Sequence, residues 1–330
     1  MTTVTVCVPA YRSGPLIAHT LRSLQRQTHR DILVRIAVEP PAQETLAAIA
    51  PFLTDRRFQV SVNPARLGWD GNIRSLLSRV ETPAFTVMPH DDILHSRAIE
   101  ILLGELERVP GASVAYGDMF VFGACRPFHK FVDLPLQGTR EDQILAFFLA
   151  GAEAVPWRGV TRTRIVSGSG GFPMDGFMGF AVECEWALRL LVQGAAIRVP
   201  RRLYFKRVHP PAIRSASRDR LAGKTADQLL AAWERHRGVM LMAMEEAVPP
   251  ESPRHALVKL AAELAMLRRL LEVSANVLPE EQRRRARDLA AQADSVAAEH
   301  PAAGPLAAAL RQLGSPAETK RTGFFFRGRL

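Results

Sequence analysis

The run His90-Asp91-Asp92 follows an apolar, β-rich stretch ending at Met88. Two adjacent carboxylates at a strand end repel unless a cation neutralises them, and a hard divalent ion such as Mg²⁺ or Mn²⁺ takes oxygen ligands. A metal carrying a diphosphate is the occupant this chemistry suits. Capping of a helix that begins near Ser96 is the other reading of the same pair. Downstream, Lys206, Arg207, His209 and Arg214 bring cationic groups and an imidazole into one short segment. Guanidinium forks there suit phosphate oxygens.

A second pair of carboxylates, Glu183 and Glu185, opens the helical pattern "ECEWALRLLVQG". At about 100° per residue the two point about 200° apart, so they cannot face one cleft together. Ala187, Leu190 and Leu191 define an apolar face on which Glu183 falls by spacing, whereas Glu185 falls on the polar side with Arg189. Burial raises a carboxylate's pKa and a place in the first turn lowers it, so the two influences oppose. Both glutamates acting only on the helix dipole is the alternative.

The elements that position these residues follow from periodicity. Strand signals at Val4 to Pro9, Ile32 to Val38, Phe58 to Val62 and Ala84 to Met88 alternate with helical spacing at Leu16 to Leu24, Thr45 to Phe52 and Ile73 to Val80. This order predicts an α/β fold with a mostly parallel sheet and helices on both faces. Ligands of such sheets sit beyond the carboxyl ends of the strands, where Pro9 to Arg12, Glu39 and Pro89 to Asp92 emerge. From Tyr116 to about Ser215 the pattern is less regular, with a Gly-rich run, Ser167 to Phe180, leading into the Glu183 helix, which Gly194 is expected to end. Residues 216–330 read as a helical region with a basic tail, "KRTGFFFRGRL".

The 330 residues are 47% apolar and carry a net charge of +10. No apolar run reaches the roughly 20 residues that span a bilayer, and the N-terminus enters a strand without a signal pattern, which points to the cytoplasm. Three cysteines, Cys7, Cys125 and Cys184, lie too far apart in sequence to suggest a disulfide framework or a zinc site. The charge favours anionic partners, and the absence of any reading motif with interleaved aromatics argues against nucleic acid. Lys320, Arg321, Arg327 and Arg329 flank Phe324 to Phe326, a pattern suited to contact with an anionic membrane surface or a second copy; a disordered tail is the alternative.

Taken in order, these segments resemble the family 2 glycosyltransferases, an inverting family with the Rossmann-like GT-A fold. The resemblance covers about Val4 to Ser215, through "VTVCVPAYRSGPLIAHTLRSLQRQTHRDILVRIAV", "NPARLGWDGNIRSLL", "VMPHDDIL", "GFAVECEWALRLLVQG" and "YFKRVHPPAIRS". It implies a nucleotide-sugar-binding half at 1–120, an acceptor-binding half at 121–215 and the helical region beyond. Pro9, Tyr11, Glu39, Asn72, Asp91 and Arg207 then contact the donor, Asp92 ligates the metal directly, His209 completes the metal or phosphate site, and Glu183 is the catalytic base. The implied reaction is metal-dependent transfer, with Mg²⁺ or Mn²⁺, from a nucleotide diphosphate sugar to an unidentified acceptor hydroxyl. The setting it implies is bacterial polysaccharide or glycoconjugate synthesis in the cytoplasm or at the inner face of the membrane. The sequence departs from the family pattern in three places: Glu39 replaces an Asp, Pro89 and His90 precede the acidic pair where another Asp is usual, and Arg12 replaces the commoner Asn.

Two other enzyme classes lack their signals. A nucleotidyltransferase needs a Gly-rich phosphate loop after the first strand, and a haloacid-type phosphatase needs DxD followed by Thr. A non-catalytic scaffold built on a decayed transferase domain is the remaining alternative.

Overall fold

Strand β1 (Val4–Ala10) is buried at every position, as a strand covered on both faces must be. It pairs in parallel with β2 (Ile32–Val38) and β4 (Ala84–Val87), and β3 (Phe58–Val62) adds in parallel to β2. The connecting helices are α1 (Ile17–Gln25), α2 (Gln43–Ile49) and α3 (Gly68–Leu77). On α1, Ile17, Leu21 and Leu24 recur at helical spacing and are wholly buried, which fixes the inward face of that helix.

The computed structural model describes residues 2–174, 181–209, 224–274 and 278–315. After β4 come β5 (Ile93–Leu94), α4 (Ala98–Arg108), β6 (Ala112–Gly123), β7 (Phe128–Lys130), α5 (Arg140–Leu149), β8 (Val160–Arg162), α6 (Arg164–Gly168), α7 (Val182–Gln193) and β9 (Ala195–Val208). Sheet order is β3-β2-β1-β4-β8-β6-β9-β5, with β7 on β6. The first four strands are parallel as their alternation predicts, and β6 pairs in parallel with β9. The short strands β5, β7 and β8 pair antiparallel, so the whole is a mixed α/β sheet. At two or three residues each, they are too short to carry a readable period.

Gly194 ends α7 as expected, but not by a left-handed turn. Its backbone is extended, and a Cβ there would lie 2.6 Å from the carbonyl oxygen of Gly111. Gly159, at the start of β8, is tighter still, with a Cβ falling 2.2 Å from the Ala115 carbonyl oxygen. Absence of a side chain is what both sites require.

By internal contacts the chain divides into two compact units, residues 1–143 with 153–222 and residues 144–152 with 223–330. The second unit contains α8 (Ala226–Ala247), α9 (His255–Val273), α10 (Glu280–Val296) and α11 (Ala303–Gly314). Thr225 and Gln228 form a reciprocal capping box at the start of α8. The Trp233 indole donates to the Met266 carbonyl at 2.7 Å, and buried Glu263 accepts from Arg237 at 2.8 Å and Arg285 at 2.7 Å. Among the described residues no helix is long and apolar enough to cross a membrane. Arg214, residues 175–180 of the Gly-rich run and the whole basic tail lie outside the described residues.

His236 is buried inside this helical unit, and desolvation, aided by the charge of Arg269, pushes its pKa down to about 3. The folded state therefore keeps it neutral while the unfolded chain takes up a proton below about pH 6.5. Stability attributable to this group is complete above that pH and is lost on acidification, by up to about 1.4 kcal/mol per pH unit, until the folded imidazole itself titrates. Protection of the α8 amides, taken relative to their intrinsic exchange rates, is expected to fall between pH 6 and pH 4, and His236→Gln should flatten that dependence. An unchanged slope in the variant would assign the acid sensitivity elsewhere.

Candidate active site

At the carboxyl end of β4 the two aspartates take different surroundings. Asp92 is 3% exposed. Its Oδ2 accepts the Tyr204 hydroxyl at 2.6 Å, its Oδ1 accepts the Arg207 backbone N–H at 2.8 Å, and its carbonyl accepts the Thr20 hydroxyl at 2.7 Å. Burial, reinforced by the charge of Asp91, raises its pKa above the ordinary carboxylate value. Asp92 thus fastens α1, β5 and β9 together, and both its oxygens are engaged.

The Asp91 side chain keeps 21% of its surface exposed and meets His209, with Nε2 at 2.6 Å from Oδ2. Partial burial works to raise its pKa, but the His209 hydrogen bond and the charges of His90 and His209 together hold it below the ordinary value. The same hydrogen bond raises the pKa of His209. Asp91 and His209 therefore form the accessible carboxylate–imidazole pair, where the sequence pointed to Asp92 and His209. His90 donates from Nδ1 to the Pro9 carbonyl at 3.2 Å, tying the ends of β4 and β1. Arg207 is anchored too, its Nε donating to the Asp91 carbonyl at 3.1 Å and its guanidinium lying 4.9 Å from the Phe122 ring centre.

The other expected donor contacts divide into framework and surface. Glu39 is buried, and its Oε1 accepts the Leu67 N–H at 2.7 Å, holding the loop that leads into α3. Asn72 bridges inside that structure, donating to the Ala37 carbonyl at 3.1 Å and accepting from Asn63 at 3.1 Å. Tyr11 is half-buried, with the guanidinium of Arg66 4.1 Å from its ring centre and that of Arg12 at 5.3 Å. Arg12 has φ 46, in the left-handed region that non-glycine residues enter at a cost.

Glu183 stands half-buried in the first turn of α7, and its Oε1 accepts the Trp69 indole N–H at 3.0 Å. Its other carboxylate oxygen has no partner among the described residues. Trp69 meets Trp157 edge-on at 6.0 Å, and the aromatic series continues through Phe172 to Trp186. Glu185 does pair with Arg189, through Nε at 2.9 Å and Nη2 at 2.6 Å, as the spacing suggested. It is nonetheless buried, more so than Glu183, because α7 is enclosed on nearly every side and offers no polar face.

The sequence did not point to Arg158. Its guanidinium lies 4.7 Å from the Trp157 ring centre and 5.4 Å from that of Tyr204, and its Nε is buried with no hydrogen-bond partner among the described residues. Burial opposes its charge, but Tyr204, Asp92 and Glu183 more than offset that. Lys206 follows Tyr204 by two residues on β9 and so shares its face. The charge of Arg158, then burial, depress the Lys206 pKa. Arg158 precedes Gly159 in a turn with no periodicity, so only its place in the fold identifies it. Among the described residues no cluster of three or more His, Cys, Asp or Glu side chains could hold a metal by itself.

Comparison with known proteins supplies the remaining evidence. Residues 5–155 match the family model of "Glycosyl transferase family 2". The S. aureus TarS 1–349 structure resembles the chain with a TM-score of 0.68 at 13% identity, over 94% of this chain and 90% of that one. The same TarS fragment with UDP-GlcNAc gives 0.58 at 12% identity, over the same shares of both chains. The mannosyltransferase PcManGT from Pyrobaculum calidifontis, in complex with GDP-Man and Mn²⁺, gives 0.50 at 16% identity, over 94% of this chain and 85% of that one. At these identities the structural likeness speaks for the fold. No curated protein matches the chain significantly.

Proposed function

We propose that the protein, whose residues 5–155 match the family model of "Glycosyl transferase family 2", moves a sugar from a nucleoside diphosphate sugar to an acceptor hydroxyl with inversion at the anomeric carbon. The observation that carries this reading is the accessible Asp91–His209 pair at the end of β4, within one chain of contacts that also includes Asp92, Tyr204, Arg158, Trp157, Trp69 and Glu183. A hard divalent cation, Mg²⁺ or Mn²⁺, fits a carboxylate and an imidazole when diphosphate and water complete its shell, as Mg²⁺ in particular usually binds. Asp91 and His209 are the residues that would hold it. When bound it neutralises charge on the departing diphosphate.

The chain's own residues account for the rest. Arg207, whose Nε donates to the carbonyl of Asp91, the partner of His209, offers positive charge to the diphosphate, while Tyr11, between Arg66 and Arg12, offers a face to the nucleotide. Trp69 holds one oxygen of Glu183, leaving the other to take the acceptor's proton. As that proton leaves, the acceptor oxygen bonds to the anomeric carbon, and the bond from that carbon to the phosphate oxygen breaks, its electron pair going to the diphosphate. No second carboxylate stands free as a nucleophile among the described residues near Glu183, which favours one step.

A thermal-shift panel of UDP, GDP and their sugars with and without Mn²⁺ tests the reading. A rise in melting temperature that needs both nucleotide and cation is expected, because a ligand of the native state stabilises it. Absence of any such rise across the panel would reject it. Trp69→Phe keeps the ring and removes the N–H that orients Glu183, so kcat is expected to fall roughly tenfold with KM little changed. An unaltered kcat would remove Trp69 from the mechanism.

We place the enzyme on the cytoplasmic side, in contact with an anionic membrane or another copy through the basic aromatic tail. Liposome co-sedimentation is expected to retain the full chain and to lose a chain ending at Ser315. Equal recovery of both in the supernatant, with equal oligomer mass, would sink the idea.

A further inference from the structure

Beside the edge strand β5, a cleft of about 280 Å³ is lined by His19, Arg22 and Ser23 of α1, by Arg26 at its C-cap, and by Ile93, Leu94 and Ser96. The three basic residues are three and seven positions apart, within an arc of about 60° on one face of the helix. All three are exposed, and none of their side chains has a hydrogen-bond or ion-pair partner among the described residues. Elsewhere in the same unit Arg57 pairs with Asp55, Arg97 with Glu100 and Arg108 with Glu105. No acidic residue occurs in α1. The acids beyond it are already engaged: Asp31 accepts the Thr3 hydroxyl, and Glu100 is held by Thr28 and Arg97.

Another cleft, between α10 and α11 in the helical unit, is about 420 Å³ and also contains arginines. There the charges are spent, because Arg311 pairs with Asp294 at 2.6 Å, and Arg287 pairs with Glu280 at 3.0 Å and donates to the Gly314 carbonyl at 2.7 Å. The α1 cleft differs in keeping its donors free. Its floor is also rigid, since Ser23 receives the Leu94 N–H at 3.2 Å and Thr20 donates to the Asp92 carbonyl.

We propose that the α1–β5 cleft binds a phosphate group belonging to a ligand other than the sugar donor. Two guanidiniums and an imidazole match a phosphate dianion in charge and donor number, whereas a single carboxylate would leave one Arg unanswered. The Ser96 hydroxyl adds a neutral donor at the rim, and Ile93 and Leu94 offer a small apolar surface to whatever carries the phosphate. The site is separate from Asp91 and His209, and it does not depend on the reaction assigned to them.

The test follows the His19 imidazole resonances of the full chain by NMR during titration with inorganic phosphate at low salt. Saturable shifts are expected, weakened about tenfold or more in Arg22→Gln/Arg26→Gln. They should persist in Arg56→Gln/Arg108→Gln, which removes the same charge elsewhere, and in Asp91→Asn. Absence of shifts, equal affinity in the α1 variant, or equal loss in the control variant would overturn the proposal. Co-sedimentation with phosphatidate-containing vesicles, against phosphatidylcholine alone, then separates the sources. Loss of sedimentation in the α1 variant identifies a lipid headgroup, and no sedimentation alongside intact phosphate shifts identifies a soluble phosphate ester.

Discussion

Asp91→Asn is expected to abolish the divalent-cation dependence of nucleotide binding and to lower turnover by about 10² or more, a loss of several kcal/mol of charge neutralisation at the diphosphate. Asp92→Asn is expected to behave differently. Its amide can keep the Arg207 N–H as donor to one atom and give a hydrogen bond to the Tyr204 oxygen from the other, once that hydroxyl turns round. The cost is then mainly to stability, about 1 kcal/mol, with cation dependence retained. Titration calorimetry with UDP or GDP, with and without Mn²⁺, separates the outcomes. If Asp92→Asn loses cation dependence and Asp91→Asn keeps it, the direct ligand is Asp92, as the motif first suggested.

Glu183→Gln preserves size and the hydrogen bond from Trp69 but cannot take a proton. Turnover is expected to fall by about 10² or more, with donor affinity little changed. The glutamate two residues on is an informative comparison because it is buried and bound to Arg189: Glu185→Gln removes half of a buried ion pair and should reduce stability more than it reduces kcat. Full activity in the Glu183 variant would exclude it as the base. A product of retained anomeric configuration would exclude single-step displacement altogether.

The parts of this fold visible in the sequence are those with enough residues to show a period. The β1 to β4 strands, of four to seven residues, alternate with helices that carry an apolar face, so alternation of strand and helix signals located them. The β5, β7 and β8 strands are set by their partners on β6, β9 and β4, and such pairing leaves no local trace. The same distinction runs through the site. Adjacent aspartates after a strand announce themselves, but which of them faces outward depends on Tyr204 and on a backbone N–H of β9, far along the chain. A helical wheel correctly pairs Glu185 with Arg189, yet it cannot reveal that α7 is enclosed nearly all round. Arg158 was invisible because its value comes from the aromatic rings on which it rests and the acids nearby.

Arg12 shows how a position can set durability against use. Its backbone sits at φ 46, a conformation that costs an L-residue about 1 kcal/mol and that Asn or Gly adopts more readily. An engineer choosing residues by backbone fit would put Asn there, as the related family commonly does, and should gain thermal tolerance. The same exchange removes a guanidinium held 5.3 Å from the Tyr11 ring. With Tyr11 facing the nucleotide as proposed, a sturdier enzyme made this way would meet it with one cation fewer, so ruggedness and grip on the donor would pull this one position in opposite directions.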